Sequence, residues 1–389
     1  MTTHKIRREV IVAIYLLIAV AVDSVQARRN LIVPGKSNDA KLDKPPRGIV
    51  KTIQSGSGDV VDCVDIYKQP AFDHPLLKNH IIQMKSNSFI EEEEEGKSHL
   101  ASEEQPGLEE WGVDCPEGTI PIIRRPSKNS ADVKDYVLPF PFDNESLAVS
   151  PNAGHEYAQV SLTGAEGTFQ GAQGIFNLWT PLTENNEISV SQIWILAGPT
   201  EFINTVEAGW ISDGYQSTGC YNLICPGFVQ TNSKFGLGSI IRPVSKFNGK
   251  QMEVKIEIKQ DKSTGHWWLR LKNVDLGYWP GSIFTSLRGG ASAINWGGEI
   301  TNSENNGQHT TTQMGSGHFP RDGFYTKSSY IRNLGHIQNN NPMQSTPREA
   351  LQTYVTNRQC YDLVVGPPNL NFGTHIYFGG PGFSAQCSK

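Results

Sequence analysis

Two glutamates occupy stretches of sequence that are otherwise apolar and uncharged. Glu207 lies within residues 202–210 and Glu299 within residues 293–300. Both stretches alternate as strands do, and this places each glutamate on the face opposite its nearest tryptophan. Burial raises the pKa of a carboxyl group, and a second carboxyl nearby separates the two pKa values. The pair could therefore act as a general base towards water and a general acid.

Spacing alone leaves a second interpretation open, in which the two glutamates point outward from unrelated strands. Adjacent glycines favour the catalytic interpretation, because they would let a substrate backbone approach closely. The sequence contains no H-E-x-x-H zinc motif, no G-x-S-x-G nucleophile elbow and no phosphate-binding glycine loop. Its 10 histidines are scattered, and we interpret them as structural. Neither a metal nor a cofactor is expected.

Strands are the elements that would position these glutamates. In residues 252–259 apolar and charged side chains alternate, which predicts a strand with one buried face. The turn residues 262–265 and the apolar run 266–272 complete a predicted hairpin. Further strands are expected at 187–196, 201–211, 283–287 and 369–378. With 38 Gly, 23 Pro and only 19% charged residues, the composition predicts an all-β sandwich or barrel rather than a helical bundle.

The first 27 residues have the pattern of a secretory signal peptide. A basic segment containing Lys5, Arg7 and Arg8 precedes an apolar run at 10–22 and a small-residue cleavage site ending at Ala27. This run is too short to span a bilayer, although a retained membrane anchor is the alternative. We expect a protein that is secreted, with the cell wall or vacuole as possible destinations. The net charge of −5, without a basic block, excludes a nucleic-acid partner.

Six cysteines in an oxidising compartment predict three disulfides, for which sequence alone allows fifteen pairings. Their positions favour three pairs, which are Cys63 with Cys115, Cys220 with Cys225, and Cys360 with Cys387. The first pair indicates a separate N-terminal unit.

The segment 91–110 is rich in glutamate, and we interpret it as a solvated linker, with a pH-sensitive hinge as the alternative. Asn144 begins a glycosylation sequon, which predicts a surface position.

Long stretches of the chain resemble the plant neprosin family, which are secreted glutamic peptidases made with an N-terminal activation peptide. Residues 62–80 and 120–125 are similar to that activation peptide. The strings Glu207-Ala-Gly-Trp210 and Trp296-Gly-Gly-Glu299 are similar to the peptidase domain, as are residues 213–222, 225–230, 277–280, 311–320 and 379–382.

The resemblance implies a sandwich of two antiparallel sheets, preceded by a small disulfide-stapled pro-domain. It implies a signal peptide at 1–27, an activation peptide at 28–145 and a peptidase domain at 146–389. Glu207 and Glu299 take the positions of the catalytic glutamates. The implied activity is acid-activated hydrolysis of peptide bonds after proline, without a cofactor. The implied partners are a proline-containing peptide or protein and the chain's own pro-segment as inhibitor, for a monomer that binds no membrane.

One departure from the family pattern touches the candidate site. Family members usually have an extra stretch after the E-A-G-W motif, whereas here Trp210 is followed at once by Ile211, Ser212 and Asp213. A missing strand could shift the register of Glu207 or leave a backbone edge unpaired. A catalytically impaired relative is therefore one alternative.

Paired carboxylates and abundant aromatic residues also fit a carbohydrate-binding sandwich protein or a glycoside hydrolase. In either protein, Trp267, Trp268 and residues 278–280 would be the sugar-stacking surfaces. For Trp210 and Trp296 we expect core packing.

Overall fold

Strands account for most of the structure, a computed structural model that describes residues 15–22 (backbone only), 47–55, 59–87, 112–124, 154–184, 187–199, 203–212, 222–224, 226–303 and 308–387. The strands are β1 Tyr15–Val22, β2 Ile49–Gln54, β3 Val60–Asp65, β4 Thr119–Ile123, β5 His155–Thr163, β6 Phe169–Asn177, β7 Ser189–Ala197, β8 Asn204–Ser212, β9 Val229–Gln230, β10 Glu253–Gln260, β11 Trp267–Leu271, β12 Val274–Trp279, β13 Ala293–Thr301, β14 Ser329–Gln338, β15 Gln344–Ser345, β16 Gln352–Val355, β17 Asp362–Val365 and β18 Ile376–Gly379. Single helical turns lie at Ile66–Lys68, Pro70–Asp73, Pro75–Leu77, Asn222–Ile224, Gly281–Ile283, Leu287–Gly289, Pro320–Asp322, Phe324–Lys327 and Arg348–Ala350.

Two antiparallel sheets form a sandwich. The six-stranded sheet has the order β1-β8-β7-β13-β5-β16, and the nine-stranded sheet has the order β17-β18-β14-β6-β10-β11-β12-β9, with β15 beside β14. Residues from both sheets share one hydrophobic core, including Trp210 and Trp296, which are fully buried. Their indole N–H groups donate to the carbonyls of Asn177 and Gln173 on β6, at 3.0 and 3.1 Å. The predicted sandwich of two antiparallel sheets is confirmed, and both tryptophans pack in its core as expected.

The predicted hairpin is formed by β10 and β11, which pair in antiparallel register from Ile256 with Leu271 to Gln260 with Trp267. Val254, Ile256 and Ile258 form the predicted buried face of β10, and the glutamates of the opposite face are buried as well. Glu253 is buried, and its carboxylate forms an ion pair with Arg332 on β14 at 2.7 Å. Charged residues alternate here because β14 supplies a buried partner, and sequence periodicity alone does not distinguish this from exposure to water.

The expectation of a strand at residues 283–287 is wrong. Two helical turns, Gly281–Ile283 and Leu287–Gly289, flank this segment. Pro280 precedes the first turn, and Gly290 ends the second with a φ of 111° that favours glycine. The apolar side chains of this segment are buried as in a strand, which explains the error.

The N-terminal unit is a three-stranded sheet with the order β2-β3-β4. The disulfide between Cys63 and Cys115 ties β3 to the segment that leads into β4. The buried carboxylate of Asp62 accepts two hydrogen bonds from Arg124, at 2.9 and 2.5 Å. These links give the unit its own internal framework, as expected for a small disulfide-stapled pro-domain.

The disulfide between Cys360 and Cys387 is present near the C-terminus. The predicted pair Cys220 and Cys225, the acidic segment 91–110 and the sequon at Asn144 lie outside the described residues.

Strand β1 covers the outer edge of β8. It belongs to the apolar run of the predicted signal peptide and pairs with β8 in antiparallel register, with Ala19 opposite Glu207. The edge that the shortened sequence was expected to leave unpaired is therefore occupied in the full chain. No helix in the described part of the chain combines the length and the apolar character needed to cross a membrane.

Candidate active site

Glu207 and Glu299 lie on the same face of the six-stranded sheet, on strands that flank β7. Gln192 on β7 is directly opposite Gly209 of β8 and Gly297 of β13. Glu207 and Glu299 are each two residues from those glycines, in opposite directions along the sheet. They therefore share a face with Gln192 and lie on a diagonal centred on it. Both side chains are buried, with exposed fractions of 2% and 0%.

The carboxylate of Glu299 receives hydrogen bonds from two residues of the adjacent strand β5. The Tyr157 hydroxyl donates to Oε1 at 3.0 Å, and Nδ1 of His155 lies 2.6 Å from the same oxygen. Burial lowers the pKa of His155, but the hydrogen bond with Glu299 and its charge outweigh this effect and raise the pKa. The contact with Glu299 therefore favours the protonated form of His155.

The surroundings of Glu207 favour the protonated acid. Burial, and then the charge of Glu299, raise the pKa of Glu207 to about 8. Two hydrogen bonds oppose the rise, from the Thr205 hydroxyl at 2.9 Å and from Nε2 of Gln192 at 3.0 Å. The two carboxyls therefore differ in environment: an imidazole and a phenol contact Glu299, whereas burial raises the pKa of Glu207 to about 8.

Gly209 and Gly297, beside the two glutamates, are required because neighbouring strands pack closely against them, and not because they line an open groove. A Cβ on Gly209 would lie 2.4 Å from Cβ of Gln192, and one on Gly297 would lie 2.3 Å from the carbonyl oxygen of Ala158. The expectation that these glycines leave space for a substrate backbone is therefore not met in the full chain. Their absent side chains allow β7 and β5 to approach closely.

An apolar cluster surrounds the polar residues on this face. It contains Tyr157, Trp194, Ile211 and Ala293 among others, and the half-buried Ile240 and Tyr354 pack against it. The backbone N–H of Ile240 lies 3.5 Å from a carboxylate oxygen of Asp59, in the N-terminal unit. The N-terminal unit thus contacts a residue that packs on the same face as the two glutamates.

Sequence analysis did not single out His155, Tyr157 or Gln192, and it interpreted His155, like the other histidines, as structural. Alternation along β5 places His155 and Tyr157 on one face together with Gln159 and Ser161, whereas Ala158, Val160 and Leu162 lie on the other. That pattern could have marked β5 as a strand of the site. Its pairing with β13 could not be read from the sequence, because His155 and Glu299 are 144 residues apart.

The aromatic residues considered as sugar-binding surfaces lie elsewhere. Trp267, Trp268, Tyr278 and Trp279 are all fully buried, on β11 and β12 of the nine-stranded sheet. These rings have no exposed face on which a sugar could stack in the full chain.

Comparison with known proteins gives two family matches and a set of distant structural similarities. The model described as Neprosin matches residues 210–381, and the model described as Neprosin activation peptide matches residues 52–161. Glu299 lies within the first match, and His155 and Tyr157 lie within the second.

Two solved structures align with 58% of this chain and 97% of their own, at 11% identity. One is SCP-B, a member of the eqolisin family of peptidases, in complex with the tripeptide Ala-Ile-His, with a TM-score of 0.32. The other is Scytalido-glutamic peptidase with a peptide-based transition-state analog, with a TM-score of 0.29. Glu207 lies between the two matches. Because these matches cover residues 52–161 and 210–381 and include both the activation peptide and the Neprosin domain, the chain belongs to the neprosin family.

Proposed function

We propose that this chain is the precursor of a secreted glutamic endopeptidase that hydrolyses peptide bonds after proline and is activated by acid. The observation that carries the proposal is the unequal pair of buried carboxyls on one sheet face. Glu299 accepts hydrogen bonds from His155 and Tyr157, whereas burial raises the pKa of Glu207 to about 8. Membership of the neprosin family, with Glu299 inside the matched Neprosin domain, supports the same activity.

In the proposed reaction, Glu299 is the general base and Glu207 the general acid. The carboxylate of Glu299 takes a proton from a water molecule whose oxygen attacks the carbonyl carbon of the scissile bond. Glu207 gives its proton to the carbonyl oxygen, so the tetrahedral intermediate forms without a full negative charge. The intermediate collapses as Glu299 returns its proton to the leaving nitrogen and Glu207 regains a proton from the hydroxyl group. Both carboxyls then return to their starting states.

The residues around the pair have distinct positioning roles in this scheme. His155 and Tyr157 position the carboxyl group of Glu299, with the oxygen Oε1 shared between them. Thr205 and Gln192 orient the carboxyl group of Glu207. Gln192 lies on β7, the strand that separates the two glutamates in the sheet.

The full chain corresponds to an inactive precursor in this proposal. Glu207 and Glu299 are 2% and 0% exposed, so a peptide substrate cannot reach them without a rearrangement. Acid would release the activation peptide, and processing would remove it. Secretion follows from the signal-peptide pattern at residues 1–27.

Substitution of single glutamates tests the proposal. After incubation at acidic pH, the protein should cleave a proline-containing reporter peptide, and mass spectrometry should place the cut after proline. Glu207→Gln and Glu299→Gln should each lower kcat/KM by at least about 10³-fold, because each removes one proton-transfer group.

Glu257→Gln is the matched control for these variants. Glu257 is 2% exposed like Glu207 but lies on β10 in the other sheet, where it pairs with Lys255 at 3.1 Å. Its activity should stay within a few-fold of the parent. An active Glu299→Gln or Glu207→Gln protein would show that the two-carboxyl mechanism is wrong. A folded parent that cleaves nothing after processing would support the catalytically impaired alternative.

A further inference from the structure

One contact between the N-terminal unit and the peptidase region is centred on Tyr278 of β12. The Tyr278 oxygen lies 2.7 Å from Nε2 of His80 and accepts the backbone N–H of Gln83 at 2.9 Å. The Gln83 side chain donates to Asp261 at 3.0 Å. The ring of His266 stacks on Tyr278, with centroids 4.6 Å apart and planes 8° from parallel. We call His80, Gln83, Asp261, His266 and Tyr278 the latch cluster.

The hydrogen bonds of the latch cluster fit neutral imidazoles. Nδ1 of His266 accepts the backbone N–H of Gly281 at 3.0 Å, which requires a nitrogen without a proton. Burial raises the pKa of Tyr278 to about 12, so its phenol retains a proton that it can donate to Nε2 of His80. A protonated imidazole has N–H groups on both nitrogens. A protonated His266 therefore cannot accept the bond from Gly281, and a protonated His80 can keep its bond to Tyr278 only as the donor.

Protonation also places two positive charges close together. The ring centroids of His80 and His266 are 5.4 Å apart. The Phe72 ring, which also belongs to the N-terminal unit, lies 6.4 Å from the His80 ring. Burial, and then the neighbouring His80, lower the pKa of His266 to about 4, while Asp261 has a smaller opposite effect. Burial also lowers the pKa of His80.

Asp261 is the acidic member of the latch cluster. Burial would raise its pKa, but hydrogen bonds from Gln83 and Ser263 outweigh burial and lower it. Asp261 therefore stays ionised and keeps its bond to Gln83 as pH falls through the range in which the histidines gain protons.

We propose that the latch cluster is an acid-sensitive contact that holds the activation peptide on the peptidase region at neutral pH and releases it when His80 and His266 become protonated. The inference rests on the proposed function, because it supplies the acid-dependent step of activation. The interacting partners are residues 66–85 of the activation peptide and the surface formed by β11, β12 and the β10–β11 turn.

The direction of the pH effect follows from the lowered pKa values. A histidine whose pKa is lowered in the closed state stabilises that state fully above its ordinary value of 6.5, and this stabilisation is lost as pH falls towards the lowered value. If release returned the pKa of His266 from about 4 to 6.5, protonation would weaken the contact by at most about 300-fold. Because His266 stays stacked on Tyr278 after release, we expect about 10- to 100-fold between pH 7 and pH 4.5.

Hydrogen exchange in a protein without catalytic glutamates tests the latch apart from peptidase activity. In Glu207→Gln/Glu299→Gln protein, amides of residues 66–85 should be protected at pH 7. Their protection should fall about 10- to 100-fold at pH 4.5, after correction for intrinsic exchange. His80→Gln/His266→Gln in this background should reduce that change to less than about 3-fold, since glutamine stays neutral and still offers an acceptor.

His74→Gln is the matched control, because His74 lies in the same segment, its pKa is lowered by burial, and its ring accepts only the local N–H of Leu76 at 3.2 Å. It should keep the full pH effect. Exchange of the β10 and β11 amides at pH 7 checks that each variant is folded, and single substitutions of His80 and His266 replace the double variant if it is not.

An undiminished pH effect in the folded histidine variants would overturn the latch. If the latch cluster opens in acid but the parent protein has no peptidase activity, the proposed function is overturned and the latch proposal stands.

Discussion

Thr205→Val should move the alkaline limit of activity upward. The Thr205 hydroxyl donates to Oε1 of Glu207 at 2.9 Å, and both side chains are buried. This bond favours the ionised form of Glu207 and so lowers its pKa, against the burial that raises the pKa to about 8. Valine has nearly the same shape and no donor. Removing the bond therefore raises the pKa further, and Glu207 remains an effective acid at higher pH.

The size of the shift follows from the strength of such a bond. A hydrogen bond to a charged group contributes about 1.5–3 kcal/mol, and one pKa unit corresponds to about 1.4 kcal/mol. Neutral Glu207 also accepts a hydrogen bond from Thr205, though a weaker one, so the difference between the two forms is smaller than the whole bond. We expect the descending limb of kcat/KM in the processed enzyme to lie about 1 unit higher for Thr205→Val than for the parent.

The assay is the pH dependence of kcat/KM on a proline-containing peptide, measured with acid-processed protein. Thr353→Val is the control, because it makes the same change at an exposed position of β16 in the same sheet. The descending limb of kcat/KM for Thr353→Val should coincide with that of the parent. A Thr205→Val limb that stays in place or moves to lower pH would refute the assignment of Glu207 as the acid.

Two further predictions concern stability and the edge of the sheet. The pKa of Glu207 is raised from 4.5 to about 8, so its ionisation destabilises the fold as pH rises through this range, by at most about 5 kcal/mol. Glu207→Gln should therefore raise Tm at pH 8.5 by several degrees and change it little at pH 4.5. An equal change at both pH values would contradict the raised pKa. Removal of residues 1–27 deletes β1 and uncovers the edge of β8. Amides of Asn204–Ser212 should then exchange at least about 10-fold faster, while the exchange of β13 amides does not change. Unchanged exchange of the β8 amides would show that β1 does not protect this edge.

The sequence was sufficient to predict the sandwich and the strands that carry the two glutamates. Alternation around Glu207 and Glu299 reports directly which side chains share a face of one strand, because the strand period is two residues. It correctly placed Trp210 and Trp296 on the faces opposite the two glutamates, where the structure has two core tryptophans. Properties that depend on a single strand were therefore predictable.

Properties that depend on strand order were not. The site requires β7 between β8 and β13, and β5 on the far side of β13. Gln192 and His155 become neighbours of the glutamates only through these pairings, which join residues 15 and 144 positions apart. The same limitation explains Glu253, whose buried partner Arg332 is on β14. Alternation identifies a face, and only the neighbouring strand decides whether that face meets solvent or another charge.

The most direct test of the shared site compares the two single glutamine variants with the double variant. Because Glu207 and Glu299 act in one reaction step on one sheet face, Glu207→Gln/Glu299→Gln should lose little more kcat/KM than either single variant. The measurement is cleavage of the proline-containing peptide by acid-processed proteins, followed to the lowest detectable rate. Losses that multiply would mean that the two carboxyls act independently, and this would contradict the shared site at the centre of the proposal.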